Sequence, residues 1–263
     1  MRGTKADEKL FWNSRARSYP LPFDPATAAK TRRILRLLAR LGADFKGRRV
    51  LDIGCGTGVY ALQLAGAARL AFGIDSSAAM LKVFRRERRL RGLVNAGCAL
   101  AAWGDLPARL LRGRFDVALA SMTAAIKTER DLLKMESAAR ERCVYIGWAG
   151  VRRNSLLEKV YAAHGLEYKA PEGAARVLAT LKKLGRRPRV LYITDSWTKA
   201  ATQRETLREI GVSMKVNGVK LRRDWTAALL RRRARGGKVR QRTSMRKALI
   251  TWRPPTAKKR KAR

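Results

Sequence analysis

Val50-Leu51-Asp52-Ile53-Gly54-Cys55-Gly56-Thr57-Gly58 is the stretch on which the fold turns. With Arg48 and Arg49 before it, the first half is a short apolar run of the kind buried on both faces of a parallel sheet. The second half places glycines at alternate positions. They permit positive φ and let a ligand approach the backbone with no Cβ in the way. A helix is expected to follow over Val59–Ala68, so these residues spell strand, tight turn and helix. A loop in this place that held a dinucleotide would read G-x-G-x-x-G and rest the pyrophosphate on the helix N-terminus. Here Asp52 stands directly before the glycines. Its carboxylate repels a pyrophosphate and favours a ligand that carries a positive amino group.

Working outward, Leu70–Ile74 reads as a second buried strand ending at Asp75. An acid there in a βαβ unit can accept hydrogen bonds from two ribose hydroxyls. With Ser76 and Ser77 following, it can also serve as the cap of the next helix, Ser77–Arg91. An adenosine with a cationic, amino-acid-like tail satisfies Asp52 and Asp75 together. Gly92–Leu100, Phe115–Ala120 and Cys143–Gly147 continue the strands, with Thr128–Arg140 the clearest helix between them. Strands alternating with helices mean an α/β protein with a parallel sheet covered on both faces. Upstream, the amphipathic segment Lys9–Tyr19 is broken by Pro20, Pro22 and Pro25. A helix over Ala26–Leu41, capped by Gly42, comes next. Beyond residue 150 the pattern shifts. Helices near Ser155–His164, Glu172–Leu184 and Thr198–Ile210 surround one strand, Arg189–Thr194, and Arg246–Trp252 is a final strand. Arg231–Arg242, basic and interrupted by glycines, is expected to be a loop or helix end.

At these residues the chain resembles the class I S-adenosylmethionine-dependent methyltransferases, over roughly residues 45–150. Val50–Gly58 carries most of the likeness, supported by Gly73-Ile74-Asp75 and Phe115-Asp116-Val117 in the right order. Phe11-Trp12-Asn13, Arg15-Ala16, Tyr19, Ser121–Lys127 and Tyr145–Gly150 look like a less-characterised bacterial branch of that superfamily. The resemblance implies a doubly wound, mainly parallel seven-stranded sheet, with Arg246–Trp252 antiparallel near one edge. It implies S-adenosylmethionine as cofactor. Asp52, Gly54, Cys55, Gly56 and Gly58 would hold its methionine part and Asp75 the ribose. The acid that family members often carry after the third strand is absent at Ala101-Ala102-Trp103 or displaced to Asp105, so Trp103 is a candidate to stack on the adenine. The expected organisation is an N-terminal helical lid at 1–44 and a methyltransferase domain at 45–253. The latter divides into a cofactor half, 45–150, and a substrate or closing half, 151–253. A disordered basic tail is expected at 254–263.

Methyl transfer from a sulfonium is an in-line displacement, and positioning the acceptor supplies much of the acceleration. A general base is needed only where the attacking atom must lose a proton. Ligands in open α/β sheets lie beyond the carboxyl ends of the strands, which places Ser121, Met122, Thr123 and Lys127 near the methyl group. Tyr19 is expected to point inward from the lid, and Trp148 to form another wall. Catalytic candidates are therefore Ser121, Thr123, Lys127 and Tyr19. The N/D-P-P-Y/F stretch of amino-methylating nucleic-acid enzymes is absent, since Ser121-Met122-Thr123-Ala124 stands there. A nucleophilic cysteine for cytosine C5 chemistry is missing from that loop too. Cys55, Cys98 and Cys143 read as small buried hydrophobes with no disulfide or metal spacing, and His164 as a helix-terminal residue.

Sixty Lys and Arg against 20 Asp and Glu leave a formal charge of +40. Residues 1–150 hold 28 basic and 13 acidic side chains, residues 151–263 hold 32 and 7. Such a surplus attracts polyanions. Arg outnumbers Lys by 41 to 19, a bias that a GC-rich genome also produces, so function and composition both remain open as its origin. No apolar leader follows Met1 and no apolar run approaches a membrane span, so a cytoplasmic protein without a membrane span is expected. Trp197 and Trp225 lie in the basic half and are expected in the core. Two function classes stand. One is a methyltransferase acting on a small molecule or an RNA, with nucleic-acid contact through the basic C-terminal half. The other is a non-catalytic methyltransferase-like protein that binds RNA or the ribosome. Oligomeric state and the methylated atom are not legible.

Overall fold

The computed structural model describes residues 5–170 and 173–255. The expected tail at 254–263 lies, from 256 onward, outside the described residues. In chain order the elements are α1 (Lys5–Arg15), α2 (Pro25–Arg40), β1 (Arg49–Ile53), α3 (Ala61–Leu64), β2 (Leu70–Asp75), α4 (Ala78–Leu90), β3 (Ala96–Leu100), β4 (Phe115–Ser121), α5 (Glu129–Ala138) and β5 (Ala139–Arg153). Then follow α6 (Ser155–Ala163), α7 (Ala174–Lys183), β6 (Arg189–Thr202), α8 (Gln203–Val216), α9 (Arg223–Arg233), β7 (Ala234–Arg235) and β8 (Lys238–Trp252).

The sheet runs β3-β2-β1-β4-β5-β8-β6, with the two-residue β7 paired to β8. Seven strands thus form the main path, as expected, and a short eighth is added. β1 pairs in parallel with β2 and β4, as do β2 with β3 and β4 with β5. The order reverses between β1 and β4, and at such a switch point the loops diverge and leave a crevice. β1 and β4 explain why their sequences are continuously apolar: Val50, Leu51, Ile53 and Val117–Ala120 are fully buried. Each buried Val, Leu or Ile contributes roughly 1.5–3 kcal/mol.

The chain divides into two compact units: Gly3–Gly147, Gly173–Leu191 and Ala248–Arg263 form the larger, and Trp148–Glu172 with Tyr192–Lys247 most of the smaller. In the larger unit the helix expected over Val59–Ala68 shrinks to α3. The buried Asp52 accepts a hydrogen bond from Ala61 N at 3.1 Å and so fixes where that helix starts. Asn95 Nδ2 donates to the Ala65 and Ala68 carbonyls beyond its end. α5 opens on a reciprocal cap between Thr128 and Asp131.

The smaller unit has its own core of Leu156, Val160, Ile210, Met214, Leu230 and Val239. Here the local expectations need correction. Thr198–Thr202 continue strand β6, and the helix begins only at Gln203, where Thr202 and Glu205 cap each other. That T-x-x-E signature marks a helix start and outweighs the apolar spacing upstream. Of the segment 231–242, Arg231–Arg233 do end helix α9, but the residues from Ala234 on form a hairpin and not a loop. Gly236 and Gly237, at φ 54° and 71°, form a two-residue turn between Arg235 and Lys238, because both positions demand left-handed backbone. Trp197 and Trp225 are not core residues: they keep 36% and 37% exposure. His164 does end a helix. Its Nδ1 meets Val160 O at 2.6 Å while Nε2 accepts from Arg222 N at 2.9 Å, so the ring ties the helix end to the start of α9.

Candidate active site

A cavity of about 220 Å³ opens in the larger unit beyond the carboxyl ends of β1, β2 and β4. It gathers Tyr19, Gly54, Gly56, Asp75, Trp103, Asp105, Ser121, Thr123 and Lys127. Three positions from the expected set sit behind the lining instead. Asp52 is 2% exposed, Cys55 is buried, and a Cβ on Gly58 would collide with Phe84 and Leu62. Asp52 acts from the second layer by starting α3, while Cys55 fills the space that Gly73 leaves open, 2.5 Å from where a Cβ would stand. Gly54 is required for a related reason: its Cβ would lie 2.1 Å from Thr123 Oγ1 at φ +70°. The loop after β4 therefore closes directly onto the loop after β1.

Asp75 is the best-defined polar group in the cavity. Its Oδ2 accepts from Gly56 N and its Oδ1 from Ser77 N, both at 2.8 Å. Ser76 N also bonds this carboxylate, and since two carboxylate oxygens offer about four acceptor positions, one is left for a ligand hydroxyl. Ser77, not Asp75, caps α4, through Met80 N at 3.2 Å. Burial raises the Asp75 carboxyl above its usual range against the pull of those backbone donors. Asp52 is raised to about 7, by burial first and then by Asp75, against a lowering hydrogen bond from Ala61 N. Neither carboxylate has an ion-pair partner among the described residues. Burial, Asp75 and Asp52 in turn hold the Tyr19 phenol above its normal range. At neutral pH Tyr19 is thus a neutral hydroxyl and not a base.

The N-terminal segment is tied to this floor. Asn13 Oδ1 accepts from Ser77 Oγ at 2.7 Å and from Ala79 N at 3.3 Å, at the start of α4. Thr57 Oγ1 donates to Pro20 O and Gln63 Nε2 to Pro22 O, each at 2.8 Å. Trp12 and Tyr19 meet edge to face, 6.2 Å between centroids, and both line the cavity. Trp103 is only 4% exposed. Its indole N–H reaches Asp131 O, and Lys134 Nζ lies 4.5 Å from its ring centroid.

Met122 is the feature that sequence reasoning placed without recognising. It is the only non-glycine residue at positive φ (49°) among the described residues, pinned by Met122 N donating to Ile146 O at 2.7 Å. Nothing in its side-chain type announces that backbone. Asp131, also in the lining, had a readable signal in Thr128-x-x-Asp131. Its Oδ2 is taken by Lys127 N, Thr128 N and Thr128 Oγ1. Trp148 falls in the smaller unit. Cys143 is buried, while Cys98 is partly exposed, contrary to expectation. Burial raises the thiols of Cys55 and Cys98, which keeps both protonated. No group of three metal-ligating side chains occurs among the described residues, nor any helix long and apolar enough to cross a membrane.

A family model described as a methyltransferase domain matches residues 44–227. No curated protein matches the sequence. Among solved structures, the YcgJ protein of Bacillus subtilis is similar at 13% identity and TM-score 0.54, covering 84% of this chain and 98% of that one. A Bacillus halodurans C-125 protein is similar at 16% and TM-score 0.52, covering 83% and 99%. A geranyl diphosphate methyltransferase in complex with GPP and sinefungin gives 16% and 0.50, covering 87% and 77%. At these identities the likeness is one of fold.

Proposed function

The chain belongs to the methyltransferase-domain family, and on that premise we propose that it transfers the methyl group of S-adenosylmethionine to an acceptor seated against the Ser121–Ala125 loop. One observation carries the reading. Asp75, half-buried and without a cationic partner, keeps an acceptor position beyond its three backbone donors at the rim of a glycine cradle. That acceptor fits a ribose hydroxyl of the family's cofactor. Gly54 and Gly56 would leave room for the methionine part, and the ionised form of Asp52 would favour its ammonium group from below. Trp103 or Asp105 would meet the adenine. The cofactor supplies an electrophilic methyl group on a positively charged sulfur.

The chain's own residues do the rest by positioning. Trp12 and Tyr19 cover the cavity and exclude water, and the neutral Tyr19 hydroxyl is available to orient an acceptor. Thr123 Oγ1 already accepts from Ala125 N at 3.1 Å, which holds its loop in place. Ser121 and the exposed Lys127 complete that wall. No residue here is assigned as general base, so an acceptor that is already nucleophilic suits the site best, either a small molecule or an exposed RNA group. Calorimetry with S-adenosylmethionine and with its demethylated product tests the cofactor. One site with heat and a raised melting temperature is expected, and neither appearing would overturn the reading. Labelled cofactor offered to total RNA and a metabolite extract in parallel then tests transfer. Cofactor binding with label in neither fraction would favour the non-catalytic, RNA- or ribosome-binding class.

A further inference from the structure

Five arginines line a second cleft of the larger unit: Arg142, Arg186, Arg187, Arg189 and Arg253, around about 480 Å³. No carboxylate lines it among the described residues. Arg186 is neutralised from inside, since its Nε and Nη2 donate to Glu136 at 2.8 and 2.9 Å. The other four have no ion pair among the described residues. Arg142 Nη2 and Arg189 Nη1 each lie 3.3 Å from the point a Gly42 Cβ would occupy, so the two nitrogens are at most about 6.6 Å apart. Burial, then Arg253 and Arg189, lower the affinity of the Arg142 guanidinium for its proton. Like charges held together without a counter-charge repel, and a bound polyanion relieves that repulsion.

The cleft is at the other end of the sheet from the cofactor cavity. Arg142 stands opposite Val117 in the parallel β4–β5 ladder, whereas Ser121 and the loop after it line the cavity. Five residues of strand separate Val117 from Met122, about 17 Å at the usual rise. We propose that this cleft docks the phosphate backbone of RNA, at a distance from the methyl-transfer site.

The chemistry favours phosphates in a row over a discrete small ligand. The guanidinium fork matches phosphate oxygens in bidentate fashion. Arg187, Arg189 and Arg253 are exposed, and apart from Gly185 and Pro255 the walls are all arginine. They offer charge in abundance and little apolar surface for a compact organic ligand. The sequence beyond Pro255 adds Lys258, Lys259, Arg260, Lys261 and Arg263, so the positive run continues along the chain.

The test needs neither cofactor nor acceptor and is thus independent of the methyl-transfer reading. Fluorescence anisotropy of the full chain with a labelled oligouridylate is followed as salt rises. The triple variant R187A/R189A/R253A should bind about tenfold more weakly or worse near 150 mM salt. The slope of log affinity against log salt should become shallower by about 2, at ~0.7 per lost contact on a single strand. An equal charge loss on the exposed face of α2, R32A/R33A/R36A, should change affinity less than about twofold, because contacts and not net charge set the slope. The exposed, mutually repelling arginines should leave the melting temperature of the triple unchanged or higher. If it falls, Arg253→Ala alone, expected to reduce the slope by ~0.7, decides the matter. Equal weakening by the α2 variant, or an unaltered slope in the cleft variants, would overturn the proposal. So would displacement of oligouridylate by stoichiometric tripolyphosphate, which would make this a site for a small polyphosphate.

Discussion

At the carboxyl ends of β1 and β2, the buried Asp52 and half-buried Asp75 have no ion-pair partner among the described residues, and burial, then Asp75, raises the proton affinity of Asp52. At the amino end of β5, Arg142, Arg187, Arg189 and Arg253 gather around a cleft that no carboxylate lines among the described residues. In the same unit Glu136 is as buried as any of these, at 1% side-chain exposure, yet it is fully matched. Arg186 grips both its oxygens, and Trp252 Nε1 donates to Oε1 at 2.9 Å. Asp52 and Glu136 are wholly out of water and Asp75, Arg142 and Arg186 partly so, while Arg187, Arg189 and Arg253 are exposed but crowded by like charge. What separates them is compensation: the matched one joins α5, the turn after α7 and the end of β8, and the unmatched ones face space that a ligand can enter. Charge is costly when it is buried unpaired or crowded by like charge, so an unpaired cluster that persists marks a place where pairing comes from outside.

The largest effect expected from this contrast is on folding. Glu136→Ala leaves Arg186 without its partner and Trp252 without its acceptor. Loss of one member of a buried pair costs about 3–5 kcal/mol, and the low end applies because Arg186 keeps 20% side-chain exposure. Urea denaturation should show the midpoint falling with an unchanged slope. Asp75→Ala should instead leave stability nearly intact and weaken S-adenosylmethionine binding by about 1.5–3 kcal/mol, the range for a hydrogen bond to a charged group. If the two variants exchanged their effects, compensation would not distinguish structure from site.

Asp52 gives the comparison a pH axis. Its folded pKa of about 7 lies above the ordinary aspartate value of 3.8, so between those limits the folded state binds more protons than the unfolded state. The free protein therefore loses stability from this group as pH rises through that window, and the loss levels off above 7. A cationic ligand reverses the preference by favouring the ionised carboxylate. Cofactor affinity should rise with pH up to about 7, by close to tenfold per unit, or ~1.4 kcal/mol. It should flatten before the ligand's own amino group begins to titrate near ~8. Asp52→Asn should abolish the slope in isothermal titrations, and a slope that persists would assign it to another group.

The larger unit was far more legible than the smaller. Apolar runs such as Leu51–Ile53 and Val117–Ala120 are buried on both faces, and that burial is what forces their composition. The glycine loop was legible because positive φ and close approach leave little choice but glycine. In the smaller unit, strands run long past their apolar centres: β5 reaches Arg153 and β8 begins at Lys238. Their polar ends carry no alternation strong enough to read. Long-range matches were invisible as well. Nothing local to Glu136, Arg186 or Trp252 announces that they meet, since their separations in sequence reach 116 residues. The arginine cleft was hidden in the same way, its members dispersed in a chain where arginine is everywhere.

The smallest expected effect concerns strain, the second thing the cavity holds uncompensated. Met122 sits at φ 49° within the loop that closes on Gly54. A side chain in left-handed backbone costs about 1 kcal/mol relative to glycine, and that cost is borne only where the surroundings impose it. Met122→Gly should therefore raise stability by up to ~0.5–1 kcal/mol, diminished by the lost contacts of a half-buried thioether and by the entropy glycine adds to the unfolded chain. Binding should move the other way. The Ser121–Ala125 wall would sample more conformations, so affinity for the demethylated cofactor should fall modestly while the midpoint in urea rises. A stabilised variant with weaker binding would mean that the strain is held for the site. A destabilised one would mean that Met122 is there for packing, and the cavity end of the sheet would then differ from the Glu136 cluster in charge alone.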